Sequence, residues 1–138
     1  MHRERPAAGV WDMKMSEGGL VDIDFCAQYL QIVHGAGGGP LRPNTGEALV
    51  ALGDAGLASR SRIAALRGAW SLQHNLNQLL KIALDDEDDP EGEPRPFRAL
   101  LAKAGGARGF AALKRRIAAA RLDVQAASDE LFRGRPPA

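Results

Sequence analysis

The chain is poor in the residues that open many functional classes. Its 138 residues include one cysteine, Cys26, so no internal disulfide forms and no Cys/His set has the spacing of a zinc site. Val, Ile and Thr together number 11, and aromatics make up 5%, which leaves little material for strands. No apolar run approaches 18 residues, so nothing is long enough to cross a bilayer as a helix. The N-terminal MHRERPAAGVWDMK has no apolar signal-peptide core, and a cytoplasmic setting is the expectation. Charge of one sign is also scarce in excess: 18 basic against 17 acidic side chains gives +1, which argues against nucleic acid and membrane surface as partners. No phosphate-cradling G-x-x-x-x-G-K-[ST] string occurs. His2, His34 and His74 are scattered, no nucleophile–base set is visible, and neither a catalytic nor a metal-binding residue is assigned.

What the chain has in quantity is alanine and leucine, 24 and 17 residues. Both favour helices, so the expected fold is all-α, a mostly antiparallel bundle of about five helices. The first is expected at Leu20–His34, apolar around much of its circumference and therefore central, with one polar seam of Asp24, Gln28 and Gln31. The glycines from Gly35 to Gly39 then make a loose loop. A second helix, Thr45–Ala55, has Asn44 as cap and Gly56 as terminator, with Leu57 making the closing contact. A third, Ser61–Leu84, carries an apolar face from Ile63 to Leu80 that Gln73 and Asn77 interrupt. Gln31, Gln73, His74 and Asn77 could therefore line a polar groove. The stretch 85–93 holds seven acids in nine residues and reads as a solvated loop, since it lacks the spacing of a calcium loop. A fourth helix is expected at Pro96–Ala104 with Phe97, Leu100 and Leu101 as its apolar edge. The fifth, Gly109–Phe132, has the clearest period: Phe110, Leu113, Ile117, Ala120, Val124, Ala127 and Leu131 step by three and four. Residues 1–17 read as a linker, 18–133 as the bundle and 134–138 as a disordered tail. Val10 and Trp11 are apolar anchors that precede any element able to receive them, as in a chain cut from a longer one.

The string from Lys14 to Phe25 is the most informative. Gly18 and Gly19 permit positive φ and close backbone approach directly before a helix. The helix start offers unpaired N–H groups to an anion or a partner loop. Asp22 fits the third helical position and can cap the backbone, while Asp24 points about 200° away from it.

KMSEGGLVDIDFCAQYLQIVHG resembles the Gly-Gly-x-x-Asp-Ile-Glu-Phe-x-x-Gln segment of the glutamine synthetase adenylyltransferase/adenylyl-removing family, with Asp24 in place of the usual Glu. LRPNTGEALVALGDAGL and residues 63–80 are similar to the helices that follow it, so the likeness covers roughly 10–132. The first segment is specific; the rest is generic helical pattern. In that family a nucleotidyltransferase domain precedes a helical domain in each half of a long polypeptide, and ATP and Mg²⁺ serve the reaction. The resemblance implies the helical domain of the C-terminal, adenylylating half. The family's Gly-Ser turn with paired metal-holding aspartates is absent here, so the isolated chain is expected to be inactive. The implied partners are the nucleotidyltransferase domain of the same polypeptide, glutamine synthetase and the PII signal protein. Lys14, Gly18, Gly19, Asp22, Asp24, Phe25 and Gln28 would face the neighbouring domain or cleft. A free-standing helical interaction module with no nucleotide chemistry is the alternative.

Overall fold

A computed structural model describes residues 9–35, 44–54, 56, 59–85 and 88–132. Among the described residues there are five α-helices and no strand. They are α1 (Leu20–Gly35), α2 (Thr45–Asp54), α3 (Arg60–Ala83), α4 (Arg95–Ala104) and α5 (Phe110–Phe132), with a single 3₁₀ turn at Pro90–Gly92. The expected loop over 36–40, the Leu57 contact, His2, the His34 side chain and the tail 134–138 lie outside the described residues.

The helix ends follow from local chemistry. Asn44 Oδ1 accepts from the Glu47 amide at 3.0 Å, and Ser59 Oγ accepts from the Arg62 amide at 3.2 Å, so both caps satisfy donors that the first turn leaves free. Gly56 and Gly106 take positive φ, both 70°, beyond the ends of α2 and α4.

α3 and α5 form the centre of the bundle. Arg62 pairs with Glu130 and Gln73 with Arg121, so the two helices run in opposite directions. α2 also runs against α3, since Gly46 lies on Trp70 and Gly53 on Ile63. α1 and α5 instead run the same way: Gly18 lies on Arg121, and Tyr29 meets Phe132 edge to face with ring centroids 4.8 Å apart. The long seam of α5 faces inward, with Leu113, Ile117, Val124, Ala127 and Leu131 buried against Leu66 and Leu76 of α3, Leu101 of α4 and Ile23 and Leu30 of α1.

Three expectations change. α1 is not enclosed. Its Ile23–Ala27–Leu30 face is buried, but Phe25 is 61% exposed and Ile32 75%. Helical neighbours cover only part of its circumference, and apolar periodicity alone does not say whether the rest is covered. Leu100 stands in solvent while Leu101 is buried, because the narrow inward face of α4 takes Phe97 and Leu101 and leaves Leu100 outside it. The acidic stretch is also tied down. Pro90 is buried, and Glu91 accepts from Trp11 Nε1 at 3.1 Å and from Lys114 Nζ at 2.9 Å. These donors hold the Glu91 carboxyl below its usual range, Lys114 first and Trp11 second.

Replacing Leu76 or Ile23 by alanine is expected to cost about 2–5 kcal/mol in urea unfolding, the range for large-to-small changes in a sealed core. Ile82→Ala, at a site 84% exposed, should change stability by no more than about 0.5 kcal/mol. Comparable losses at the three sites would contradict this core.

Candidate functional site

The site is built around the start of α1. Residues 9–19 lead into that helix and pack onto the bundle, with Met13 and Ser16 buried and Val10 and Trp11 against the core. The Trp11 ring stacks on Phe110 at 5.2 Å, so the early apolar anchors are received by the last helix of the chain.

This segment folds back to satisfy the helix it precedes. The amides of Gly19, Leu20 and Val21 donate to the carbonyls of Ser16, Met13 and Lys14 at 2.8, 2.7 and 3.1 Å. The Gly18 amide donates to Asp22 Oδ2 at 2.7 Å. The expected open helix start, available to an anion, is therefore closed by the chain's own loop. Asp22 has the capping role its position implied. The two glycines have separate reasons to be glycine. A Cβ at Gly19 would stand 2.6 Å from the Met13 carbonyl and 2.8 Å from that of Ser16. At Gly18, φ is +82°, and a Cβ would stand 2.5 Å from the Arg121 carbonyl.

Behind Gly18 lies a buried polar node. Gln73 Nε2 donates to the Gly18 carbonyl at 2.9 Å, and Gln73 Oε1 accepts from Arg121 Nε at 2.9 Å. Arg121 Nη2 donates to the Val10 carbonyl at 2.8 Å, reaches that of Asp12 at 3.3 Å and touches Met13 Sδ at 3.4 Å. Gln73 is fully buried and Arg121 nearly so. Burial pulls the guanidinium below its ordinary value, opposed by the Asp12 carboxylate, and an arginine stays charged under such a shift. Gln73 thus interrupts the apolar face of α3 because it is bonded inside the bundle. Arg121 was missed by sequence reasoning. Its signal was present: it lies four residues after Ile117 and three before Val124, a second polar residue on an inward seam.

The remaining motif residues divide by direction. Asp24 accepts from the Thr45 hydroxyl and so joins α1 to α2. Lys14, Phe25 and Gln28 face outward, with Met15 and Ile32 also exposed. Val21, Phe25, Gln28 and Ile32 step by 4, 3 and 4 along one stripe. The expected polar groove does not form as a set of four, because Gln31 lies away from Gln73, His74 and Asn77. His74 stacks on Trp70 at 4.5 Å, and Asn77 is half-buried one turn beyond Gln73. Gln31 is buried roughly 17 Å along α1 from its start, and α1 runs opposite to α3.

Among the described residues no three His, Cys, Asp or Glu side chains converge as metal ligands. What the geometry defines is an all-helical domain whose leading segment is locked inward and whose first helix presents a mixed apolar and polar face. The chain belongs to the GlnD PII-uridylyltransferase family, whose model matches residues 2–132. It is 52% identical to a bifunctional glutamine synthetase adenylyltransferase/adenylyl-removing enzyme of Caulobacter vibrioides over 97% of its own length. Enzymes of the same name from Rhodopseudomonas palustris and Bradyrhizobium diazoefficiens are 36% and 34% identical over 96% and 99% of the chain. The chain spans only 13–14% of the length of these relatives.

Gly18→Ala is expected to destabilise the domain by about 1–3 kcal/mol, through strained φ and contact with Arg121. Arg121→Met should cost about 3 kcal/mol or more, because it strands Gln73 Oε1 and two carbonyls. The Arg121→Met, Gln73→Leu double variant should lose less than the sum of the two single losses, as measured by denaturant unfolding in a double-mutant cycle. Additive losses would mean that the node is not a unit.

A pH prediction concerns Cys26. Burial and then the Asp22 carboxylate push its thiol up to about 11. The folded state holds that proton after the unfolded chain has lost it, so stability is complete below about pH 8.5 and falls as pH rises toward 11. Thermal melts across that window should fall more steeply for the native chain than for Cys26→Ala. Parallel curves would remove Cys26 as the cause.

Proposed function

We propose that this chain is the accessory helical domain of an enzyme that transfers AMP from ATP to a tyrosine of glutamine synthetase. It lies in the C-terminal part of a longer cytoplasmic polypeptide. Its role is positional: it packs beside the nucleotidyltransferase domain and offers further contacts to glutamine synthetase or to the PII signal protein.

The observation that carries the reading is the outward position of Phe25 inside the Asp-Ile-Asp-Phe string, in line with Val21, Gln28 and Ile32. Burying one such side chain contributes about 1.5–3 kcal/mol, so a stripe of this kind favours a covering domain. The names and lengths of the relatives support the same reading.

ATP and Mg²⁺ belong to the neighbouring domain. The acids of this motif do not fit the metal: Asp22 is taken by the Gly18 amide, Asp24 by the Thr45 hydroxyl, and the two point to different sides of α1. No step of the transfer is routed through them. The chain's own contribution is to hold the leading segment still, since Arg121 and Gln73 fix where that segment meets the bundle. Alignment of reacting groups depends on such fixed positions.

Incorporation of labelled AMP into glutamine synthetase tests the proposal. The isolated chain, given Mg²⁺ and ATP, is expected to attach none above background. In the full-length polypeptide, Phe25→Asp should lower transfer by about tenfold or more while leaving the melting temperature of the isolated domain unchanged. Turnover by the isolated chain would overturn the accessory role, and full activity of the Phe25→Asp enzyme would remove α1 as the interdomain face.

A further inference from the structure

Charge is strongly segregated along this nearly neutral chain. From Arg95 to Leu122 there are eight basic residues and no acid, which leaves ten basic against seventeen acidic side chains elsewhere. This stretch is α4, α5 up to its middle and the turn between them. Arg121 is used inside the bundle; the other seven lie on the helical hairpin, with Arg98 and Lys114 half-buried. Arg95, Lys103, Arg108, Arg115 and Arg116 are exposed, and among the described residues only Lys114 of the seven is in an ion pair, with Glu91.

The fold brings Lys103, Arg108 and Arg116 together around the hairpin tip. Gly106, at φ +70°, turns the chain sharply after α4. The Arg116 guanidinium lies beside that turn, 3.7 Å from where a Gly106 Cβ would stand. The first turn of α5 carries no acid, so the positive end of its dipole adds to the same field. α4 packs on α3 and α5, and α1 meets α5 at Arg121 and Phe132, in the half of α5 away from the hairpin tip.

We propose that the tip of the α4–α5 hairpin is a docking surface for an acidic protein face, and that in the longer polypeptide it engages the protein being modified. This rests on the proposed function, which makes that substrate a protein. Most of these residues are arginines, whose planar fork suits carboxylates. The nearby aromatics are not free to stack on bases: Trp11 and Phe110 are stacked on each other, with Arg98 and Lys114 over the Phe110 ring. The only large apolar side chain exposed on α4 is Leu100, too little for insertion into a membrane surface but suited to the edge of a protein interface.

The test uses the full-length polypeptide, with a triple variant K103E/R108E/R116E and a control R60E/R67E/K81E that makes the same charge change on α3. Binding to glutamine synthetase is measured from about 20 to 300 mM KCl, a range over which exposed charges become screened. The hairpin variant should bind about tenfold more weakly at low salt, and its binding should lose the salt dependence of the native protein. Its KM for glutamine synthetase should rise with kcat and the KM for ATP unchanged, while the control stays near native. Equal effects of the two triples, or none, would overturn the proposal. So would loss of binding to a single-stranded oligonucleotide or to phosphatidylserine vesicles with glutamine synthetase binding intact. Native protein that binds glutamine synthetase at the hairpin but transfers no AMP would defeat the proposed function and leave this surface standing. AMP transfer with native binding by the hairpin variant would do the reverse, and no binding by the native protein would overturn both.

Discussion

A guanidinium buried among carbonyls has to find its hydrogen bonds within the fold, and Arg121 finds them in three places at once. Its Nε takes the amide oxygen of Gln73, and its Nη2 takes carbonyls at Val10 and Asp12. Gln73 turns its other end to the Gly18 carbonyl. α5, α3 and the segment before α1 are therefore joined through one connected and largely buried set of polar atoms. A half-satisfied set of this kind costs more than an apolar core, so each member constrains the next. Gly18 must lack a side chain because the backbone of Arg121 lies against it. Gly19 must lack one because the carbonyls that close the helix start lie against it.

Locking the start of α1 inward decides what faces outward. Once Ile23, Ala27 and Leu30 are set toward the core, the 3.6-residue period puts Phe25, Gln28 and Ile32 on the far side. The motif Gly-Gly-Leu-Val-Asp-Ile-Asp-Phe thus has two halves with different physics. The glycines and Asp22 build the fold, Asp24 joins α1 to α2, and Phe25 is left exposed. The α4–α5 hairpin follows a different logic. Its inward groups, Leu101, Leu113 and Ile117, are apolar, and from Arg95 to Leu122 its charged groups are all basic. The two outward surfaces differ in chemistry as well as location.

The family match and the chain's share of its relatives bear on the same division of labour. A segment spanning 13–14% of the relatives it matches has a folded core of its own, sealed by Leu66, Leu76, Leu113 and Ile117. Its polar interior holds the backbone in place, and the motif acids Asp22 and Asp24 are bonded to an amide and a hydroxyl.

Helix class, number and ends were readable from composition and period, because alanine, leucine and caps act over one or two turns. The seam from Phe110 to Leu131 was readable for the same reason, and Gln73 stood out as a polar residue on an apolar face. The Gly-Gly motif could be located as well, and Asp22 could be given its cap. Arg121 could not be found as the partner of Gln73, because 48 residues separate them and periodicity carries no information about which seams meet. Nor could the exposure of Phe25, since an apolar side chain reads the same whether a core or another domain covers it. Pro90 and Glu91 looked like part of a solvated acidic run until Trp11 and Lys114 were brought against them from opposite ends of the chain. Local chemistry chose the helices; only long-range packing, where one buried charge had to be satisfied, chose which faces were hidden and which were left exposed.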